Sequence, residues 1–186
     1  VFVPFDRPDW TLDPEKLRKA FNSRTKAIIV NTPHNPTGRV LTRDEMTLIA
    51  NLCIEHDAWA ITDAPYEHMV YKGHHHEIAT WPGMRERTIT ISSLSKTYSC
   101  TGWRIGWIIA PPAQTGPIRK VHDFLTVGAP APLQTAAAVG FAFGADYYNQ
   151  FAANYKARRD FLCSVLKEQG FEFSLPEGSY FVLADF

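Results

Sequence analysis

The sequence predicts an α/β fold: a mainly parallel β-sheet covered by helices on both faces, followed by the start of a small α+β domain. Short apolar segments of strand length alternate with segments of helical periodicity. The first strand segment is a continuous apolar run, typical of a strand buried on both faces. Beyond residue 144 the pattern changes to one long amphipathic helix and a short tail. We therefore expect a large domain over residues 1–144 and part of a small domain over residues 145–186.

The first half of the chain contains the clearest helix and strand signals. A helix is predicted to begin at Asp13-Pro14, with the aspartate as its cap and the proline in its first turn. The apolar run 26–31 predicts the first strand. The capping box Thr42–Glu45 begins a second helix, whose apolar residues recur at helical spacing. Segments 59–63 and 88–91 predict the next two strands.

The second half is predicted from loop length and periodicity. Strand segment 104–110 follows its predecessor without room for a crossover helix, so we expect it to run antiparallel. A long amphipathic helix follows residue 144, and we expect Arg158 and Arg159 on its solvated face. The alternating segments 171–173 and 180–183 predict short strands.

Composition narrows the classes of function. Among 186 residues, 19 Lys+Arg balance 19 Asp+Glu, and this zero net charge argues against nucleic acid as the main partner. No apolar run approaches the roughly 20 residues that span a bilayer, so no membrane association is expected. Three cysteines, Cys53, Cys100 and Cys163, form an odd set without a CxxC pair. This pattern indicates reduced thiols and a cytoplasmic location.

Polar residues follow three strand segments, and open α/β sheets bind ligands where their strands end. The first group, residues 31–38 (NTPHNPTG), fits an ordinary turn, but it also fits a site in which Asn35 directs its amide into the cleft. The second group, Asp63-Ala64-Pro65-Tyr66, fits a helix cap. It fits equally a carboxylate that holds a cationic ring nitrogen, with the Tyr66 hydroxyl reaching the same ligand.

The third group favours a functional site on its residues alone. Residues 92–99 (SSLSKTYS) place several hydroxyls around Lys96, and Arg104 lies close behind. Serine hydroxyls, backbone N–H groups and an arginine together form a phosphate site. A lysine in such surroundings can act as a nucleophile that forms a Schiff base. An ordinary surface loop does not need this concentration of hydroxyls around one lysine.

Taken in order, the motifs N-P-T-G, D-x-x-Y and S-x-S-K, with an arginine eight residues after the lysine, resemble those of the class I/II aminotransferases. These are fold-type-I enzymes that depend on pyridoxal 5′-phosphate (PLP). The segments N-T-P-H-N-P-T-G and T-G-W-R-I-G-W are most similar to the kynurenine aminotransferase and cysteine-conjugate β-lyase branch. The resemblance covers nearly the whole chain. It implies a three-layer α/β/α PLP-transferase-like domain, a homodimer, and amino-group transfer from an L-amino acid to a 2-oxo acid.

The resemblance also implies roles for residues around the cofactor ring. Lys96 would form the Schiff base with PLP and afterwards move the substrate proton. Asp63 would pair with the pyridinium nitrogen, and Tyr66 and Asn35 would hydrogen-bond the 3′-oxygen of the ring. The sequence departs from the branch at Ala64-Pro65, where an acidic and then an aliphatic residue are more usual. We expect this departure to alter the stiffness of the loop more than its chemistry.

Roles on the phosphate and substrate sides are implied in the same way. Ser93 and Arg104 would bind the phosphate, and Ser95 would assist them. Tyr180, in the segment G-S-Y-F, would line the substrate cleft together with Asn35.

Two alternatives to an aminotransferase remain open at this point. A PLP-dependent β-lyase or cyclopropane-carboxylate synthase would share the first steps through Lys96. A non-catalytic fragment or module is the other alternative, because the family's phosphate loop, ring-stacking aromatic residue and substrate-carboxylate arginine are not found in this sequence. The chain also begins at Val1 rather than Met, so we expect it to be partial. The run His74-His75-His76 suggests a metal, but consecutive side chains cannot all face one ion, and we expect no metal site.

Overall fold

The main sheet of the protein has four strands in a computed structural model that describes all 186 residues. Its strands, in chain order and in spatial order, are β1 (Ala27–Asn31), β2 (Trp59–Asp63), β3 (Thr88–Ser93) and β4 (Gly106–Ile109). The first strand is not buried on both faces as expected, since Ile29 is 74% exposed. Strands β1, β2 and β3 are parallel, and β4 runs antiparallel to β3. The predicted strand directions are thereby confirmed. Because parallel strands end at the same edge, the polar groups that follow β1, β2 and β3 meet there.

Helices account for much of the remaining chain. They are α1 (Pro14–Ala20), α2 (Arg43–Glu55), α3 (Leu94–Thr97), α4 (Pro112–Thr126), α5 (Ala131–Gly140) and α6 (Ala145–Glu168). The Asp13 carboxylate accepts hydrogen bonds from the first-turn backbone of α1, and Thr42 and Glu45 cap α2 reciprocally. Both predicted helix starts are therefore confirmed. None of the helices combines the length and the apolar character needed to cross a membrane.

The main apolar core lies between the first two helices and the sheet. Its fully buried members include Leu17 of α1, Met46, Ile49 and Cys53 of α2, and Ala60 of β2. Burial of each large side chain contributes about 1.5–3 kcal/mol, so α1 and α2 are firmly attached to the sheet. This attachment fixes the ends of β1 and β2, where polar side chains gather.

The tail of the chain forms a separate two-stranded antiparallel sheet of β5 (Glu172–Phe173) and β6 (Ala184–Asp185). The second strand was predicted over 180–183 and begins later, at Ala184. The reason is tertiary, because the rings of Tyr180 and Phe181 pack against Tyr66 at 5.4 and 5.7 Å between centroids. The division into domains 1–144 and 145–186 stays a prediction.

One prediction for α6 is wrong. Arg158 is exposed as expected, but the Arg159 side chain is only 11% exposed. Its Nη1 donates to the Pro176 carbonyl at 2.7 Å, and its guanidinium lies 4.9 Å from the centre of the Tyr71 ring. The tail folds back over this face of α6, so the face is not solvated.

Candidate active site

The ends of β1 and β2 are joined through Asn31, which is paired in register with Asp63. The Asn31 amide donates to the Asp63 carbonyl at 2.8 Å and lies 3.3 Å from its carboxylate. The Asn31 side-chain oxygen accepts from the Asn35 backbone N–H at 2.7 Å. Asn31 therefore links the Asn35 loop to Asp63. The strand-end motifs predict no role for Asn31, although its place at the end of β1 matches that of Asp63 at the end of β2.

Asp63 presents a carboxylate at the carboxyl end of β2. It is exposed and forms no ion pair with a side chain of this chain. Partial desolvation by the surrounding protein raises the pKa of Asp63. A cation held beside this carboxylate would oppose that effect and favour the ionised form. The site is thus suited to a cationic ring nitrogen.

Tyr66 is buried, and Asn35, Tyr180 and Asp63 are its neighbours. Desolvation is the main reason that the pKa of the Tyr66 phenol is strongly raised, and the adjacent Tyr180 hydroxyl raises it further. The Asn35 side chain acts in the opposite direction, through a hydrogen bond that lowers this pKa. Tyr66 is therefore a protonated hydrogen-bond donor at neutral pH.

Lys96 lies in the one-turn helix α3, directly after β3. Its side chain is half-buried and pairs with no carboxylate of this chain. The Lys96 ammonium lies 5.6 Å from the centre of the Tyr180 ring, within the range of a cation–π contact. Because the Tyr180 ring also meets the Tyr66 ring edge to face, Tyr180 brings Lys96 and Tyr66 to the same place.

The predicted phosphate ligands lie between β3 and β4. Ser93 ends β3 opposite Gly106, Ser95 is buried in α3, and Arg104 is exposed in a left-handed conformation (φ +55°). Thr101 connects the last two, since its hydroxyl donates to the Ser95 carbonyl at 2.8 Å and its carbonyl accepts from Arg104 Nη1 at 3.0 Å. Arg104 forms no ion pair with a carboxylate of this chain. Its remaining N–H groups are available for an anion.

PLP fits the charges at this edge of the sheet. Asp63 offers an unpaired carboxylate, Lys96 an unpaired amine and Arg104 an unpaired guanidinium. PLP carries three complementary groups, a basic ring nitrogen, an aldehyde and a phosphate. The residues expected to bind it follow the ends of neighbouring strands, and Tyr66 lies near Asn35 and against the Tyr180 ring, which also contacts Lys96.

The side chains of the three consecutive histidines lie in different environments. His74 is exposed, whereas both ring nitrogens of the half-buried His75 are shielded from solvent and have no hydrogen-bond partner. Desolvation, with smaller contributions from His68 and His76, lowers the pKa of His75 to about 4. No cluster of three or more His, Cys, Asp or Glu side chains is arranged to hold a metal ion.

Gly38 lies where the Asn35 loop meets the tail, and we expect Gly38→Ala to destabilise the protein. Its φ is +72°, and an added Cβ would lie 2.4 Å from Cβ of Pro176. The left-handed conformation and the clash together should lower the free energy of unfolding by about 2–4 kcal/mol, measured by urea denaturation. Gly116→Ala is the matched control, because an added Cβ there meets nothing within 4 Å and alanine favours the helix. Equal stabilities of the two variants would contradict this account.

Comparisons with known proteins show the family and the fold of the chain. The family model for class I and II aminotransferases matches residues 1–186. Kynurenine–oxoglutarate transaminase 3 of Bos taurus is 44% identical over 185 residues, covering 95% of this chain and 41% of its own length. The solved structure of N-succinyldiaminopimelate aminotransferase from Mycobacterium tuberculosis superposes with a TM-score of 0.92 at 39% identity, covering 97% of this chain and 47% of the other. The chain thus spans less than half the length of these relatives.

A third comparison extends the similarity to a more distant enzyme. The aromatic aminotransferase of Pyrococcus horikoshii superposes with a TM-score of 0.87 at 33% identity, over 95% of this chain and 48% of that structure. These matches confirm the predicted α/β fold and the resemblance drawn from the strand-end motifs. The chain belongs to the class I and II aminotransferase family.

Proposed function

We propose that the natural polypeptide containing these residues is a PLP-dependent aminotransferase, which moves an amino group from an L-amino acid to a 2-oxo acid. One observation carries the proposal: Asp63, Lys96 and Arg104 hold unpaired charges at one edge of the sheet, and PLP complements all three. Enzymes of this family depend on PLP. The alternative of a module without a cofactor does not explain why three unpaired charges lie at this edge of the sheet.

The residues around the ring have separate tasks. When bound, PLP supplies an electron sink for the substrate α-carbon. Lys96 would be the attachment point of the cofactor, and its freed amine would take the proton from the substrate α-carbon as general base and deliver it as general acid to C4′ of the cofactor. Asp63 holds the ring nitrogen in its protonated form. Tyr66 donates a hydrogen bond to the ring oxygen, and Asn35 supports it from the neighbouring loop.

The residues between β3 and β4 hold the other end of the cofactor. Arg104 and the Ser93 hydroxyl bind the phosphate, and Ser95 assists from the buried first turn of α3. Anchoring the phosphate in this way keeps the reactive part of the cofactor beside Lys96. Tyr180 and Asn35 face the substrate, with the Tyr180 ring next to the Lys96 ammonium.

We also propose a homodimer located in the cytoplasm. The apolar side chains of Phe124, Leu125 and Val127 at the end of α4 are exposed, and contiguous apolar surface of this kind marks a contact site. Cys53 and Cys163 are buried free thiols, which suits a reducing compartment. Size-exclusion chromatography with light scattering tests the dimer, and imaging of a tagged protein in its own cell tests the location.

The function is tested on the purified natural polypeptide. PLP should produce a visible absorption band, and borohydride reduction followed by peptide mapping should find the cofactor on Lys96. Because the Bos taurus relative is named a kynurenine–oxoglutarate transaminase, L-kynurenine and 2-oxoglutarate are the first substrate pair to test, and glutamate is the product to measure. PLP bound elsewhere, or no amino transfer from any L-amino acid to 2-oxoglutarate, pyruvate or another 2-oxo acid, would refute the proposal. Release of pyruvate and ammonia from a cysteine conjugate, without amino transfer, would instead indicate the β-lyase alternative.

A further inference from the structure

The segment Pro176–Tyr180, here called the strap, crosses the sheet edge between two loops of the active site. One loop follows β1 and carries Asn35, and the other follows β2 and carries Tyr66. The backbone hydrogen bonds of the strap run from Glu177 N and Gly178 N to the Gly38 carbonyl (both 2.8 Å), from Tyr71 N to the Glu177 carbonyl (2.7 Å), and from Ser179 N to the Met69 carbonyl (2.8 Å). The strap therefore fastens the two loops to each other.

The Glu177 side chain also connects the same two loops, through contacts of its charged carboxylate. Its carboxylate accepts from Lys72 Nζ at 2.9 Å on one loop and from the Val40 backbone N–H at 3.3 Å on the other. It also lies 3.8 Å from Arg39 Nη1. The side chains of Glu177 and Arg39 are only 22% and 14% exposed, so solvent screens their attraction less than it would at the surface. Glu177 thus contacts both loops but none of the residues assigned to PLP.

The strap ends at Tyr180, whose position depends on the residues before it. The backbone has little freedom there, since a Cβ added at Gly178 would lie 2.7 Å from the Met69 carbonyl oxygen. Ser179 is fully buried in a left-handed conformation (φ +58°), and the Tyr71 hydroxyl donates to its carbonyl. This confined backbone sets the Tyr180 ring against Lys96 Nζ at 5.6 Å.

We propose that Glu177 is a positioning residue of the active site, which holds the strap across the two loops and thereby keeps Tyr180 against Lys96. The proposal rests on the proposed function, because it concerns the same PLP site. Without the Glu177 carboxylate, Arg39 and Val40 lose a partner on the strap, which is then held to the two loops by its backbone hydrogen bonds alone. Tyr180 is then held less firmly beside Lys96 and Tyr66, so the site binds PLP less tightly and in a less defined orientation.

The test compares Glu177→Ala with Lys72→Ala in the natural polypeptide, since each removes one partner of the same ion pair. We expect Glu177→Ala to weaken PLP binding about tenfold in a fluorescence titration. At saturating PLP, it should also change the visible circular dichroism of the bound cofactor. Lys72→Ala should leave both measurements near wild type, because the Lys72 side chain is 78% exposed and Glu177 keeps its contacts with Arg39 and Val40. Glu177→Gln, which preserves the shape, should lie between Glu177→Ala and wild type.

The proposal is overturned if folded Glu177→Ala matches wild type in both PLP affinity and circular dichroism. If Glu177→Ala does not fold, Tyr71→Phe decides the question, since it removes only the hydroxyl that donates to Ser179. We expect it to weaken PLP binding about threefold, and an unchanged affinity would overturn the proposal. A wild-type protein that fails to capture PLP on Lys96 would refute the proposed function, whereas wild-type capture with an unaffected Glu177→Ala refutes the positioning role alone.

Discussion

Replacing Lys96 with alanine is expected to abolish borohydride-stable attachment of PLP and to lower kcat by about 10²–10⁴-fold or more. The size of the effect follows from the two tasks of one amine. In the proposed function, Lys96 both anchors the cofactor and carries the proton of the substrate α-carbon, and its ammonium lies in the site, 5.6 Å from the centre of the Tyr180 ring. Mass spectrometry after reduction measures attachment, and single-turnover kinetics with an L-amino acid measures the proton step.

Lys167→Ala is the control for this substitution. Lys167 is exposed in the last turn of α6 and forms no ion pair, so its loss should change neither attachment nor kcat. Noncovalent PLP binding should survive in Lys96→Ala, because Asp63 and Arg104 still complement the ring nitrogen and the phosphate. Undiminished borohydride-stable labelling of Lys96→Ala would show that another lysine is the attachment point and would remove Lys96 from the site.

The local elements of the fold were predictable because their signals lie within a few residues. The Asp13 cap, the capping box of Thr42 and Glu45 and the apolar run of β1 each determine structure over one or two turns. The placement of the strand-end residues at one edge of the sheet was predictable from one topological rule, because parallel strands end at the same edge. The register that pairs Asn31 with Asp63 confirms that these two strands end level.

Contacts between distant parts of the chain were not predictable in this way. Glu177 reaches Val40 across 137 positions, and in sequence it is an ordinary acidic residue of a turn. Arg159 was placed on a solvated face because its helix pattern alone cannot show that the tail returns to cover it. The late start of β6 has the same origin, since Tyr180 and Phe181 pack on Tyr66 instead of pairing as a strand.

Replacing Asp63 with asparagine should separate the binding of PLP from its use in catalysis. The substitution preserves the size of the side chain and leaves an oxygen that can accept from the Asn31 amide. PLP should still attach to Lys96, but the ring nitrogen loses the negative charge that keeps it protonated. We expect kcat to fall by about 10²–10³-fold, with borohydride-stable labelling near wild type. Full activity of Asp63→Asn would exclude the assigned role of this carboxylate.

In the Asp63→Asn variant, the stability of the cofactor-free protein should rise although the activity falls. Desolvation raises the pKa of Asp63 in the folded chain, so the folded state binds its proton more tightly than the unfolded state. Protonated Asp63 makes its full favourable contribution to the free energy of unfolding below the pKa that this group has in the unfolded state. The contribution is lost as the pH rises through the pKa of Asp63 in the folded state. Ionised Asp63 therefore destabilises the folded chain at pH 7. Asp63→Asn should therefore unfold at a higher urea concentration than wild type at pH 7, with the gain decreasing as the pH is lowered.

The control for both Asp63 effects is Asp57→Asn. Asp57 is almost fully exposed and pairs with Arg87 at 2.9 Å, and asparagine tolerates its left-handed φ of +48°. This variant should retain wild-type kcat and should not gain stability at pH 7. If the stability gain of Asp63→Asn disappears when PLP is added, the cationic ring nitrogen is the partner of the Asp63 carboxylate. An equal gain with and without PLP would show that the two groups do not meet.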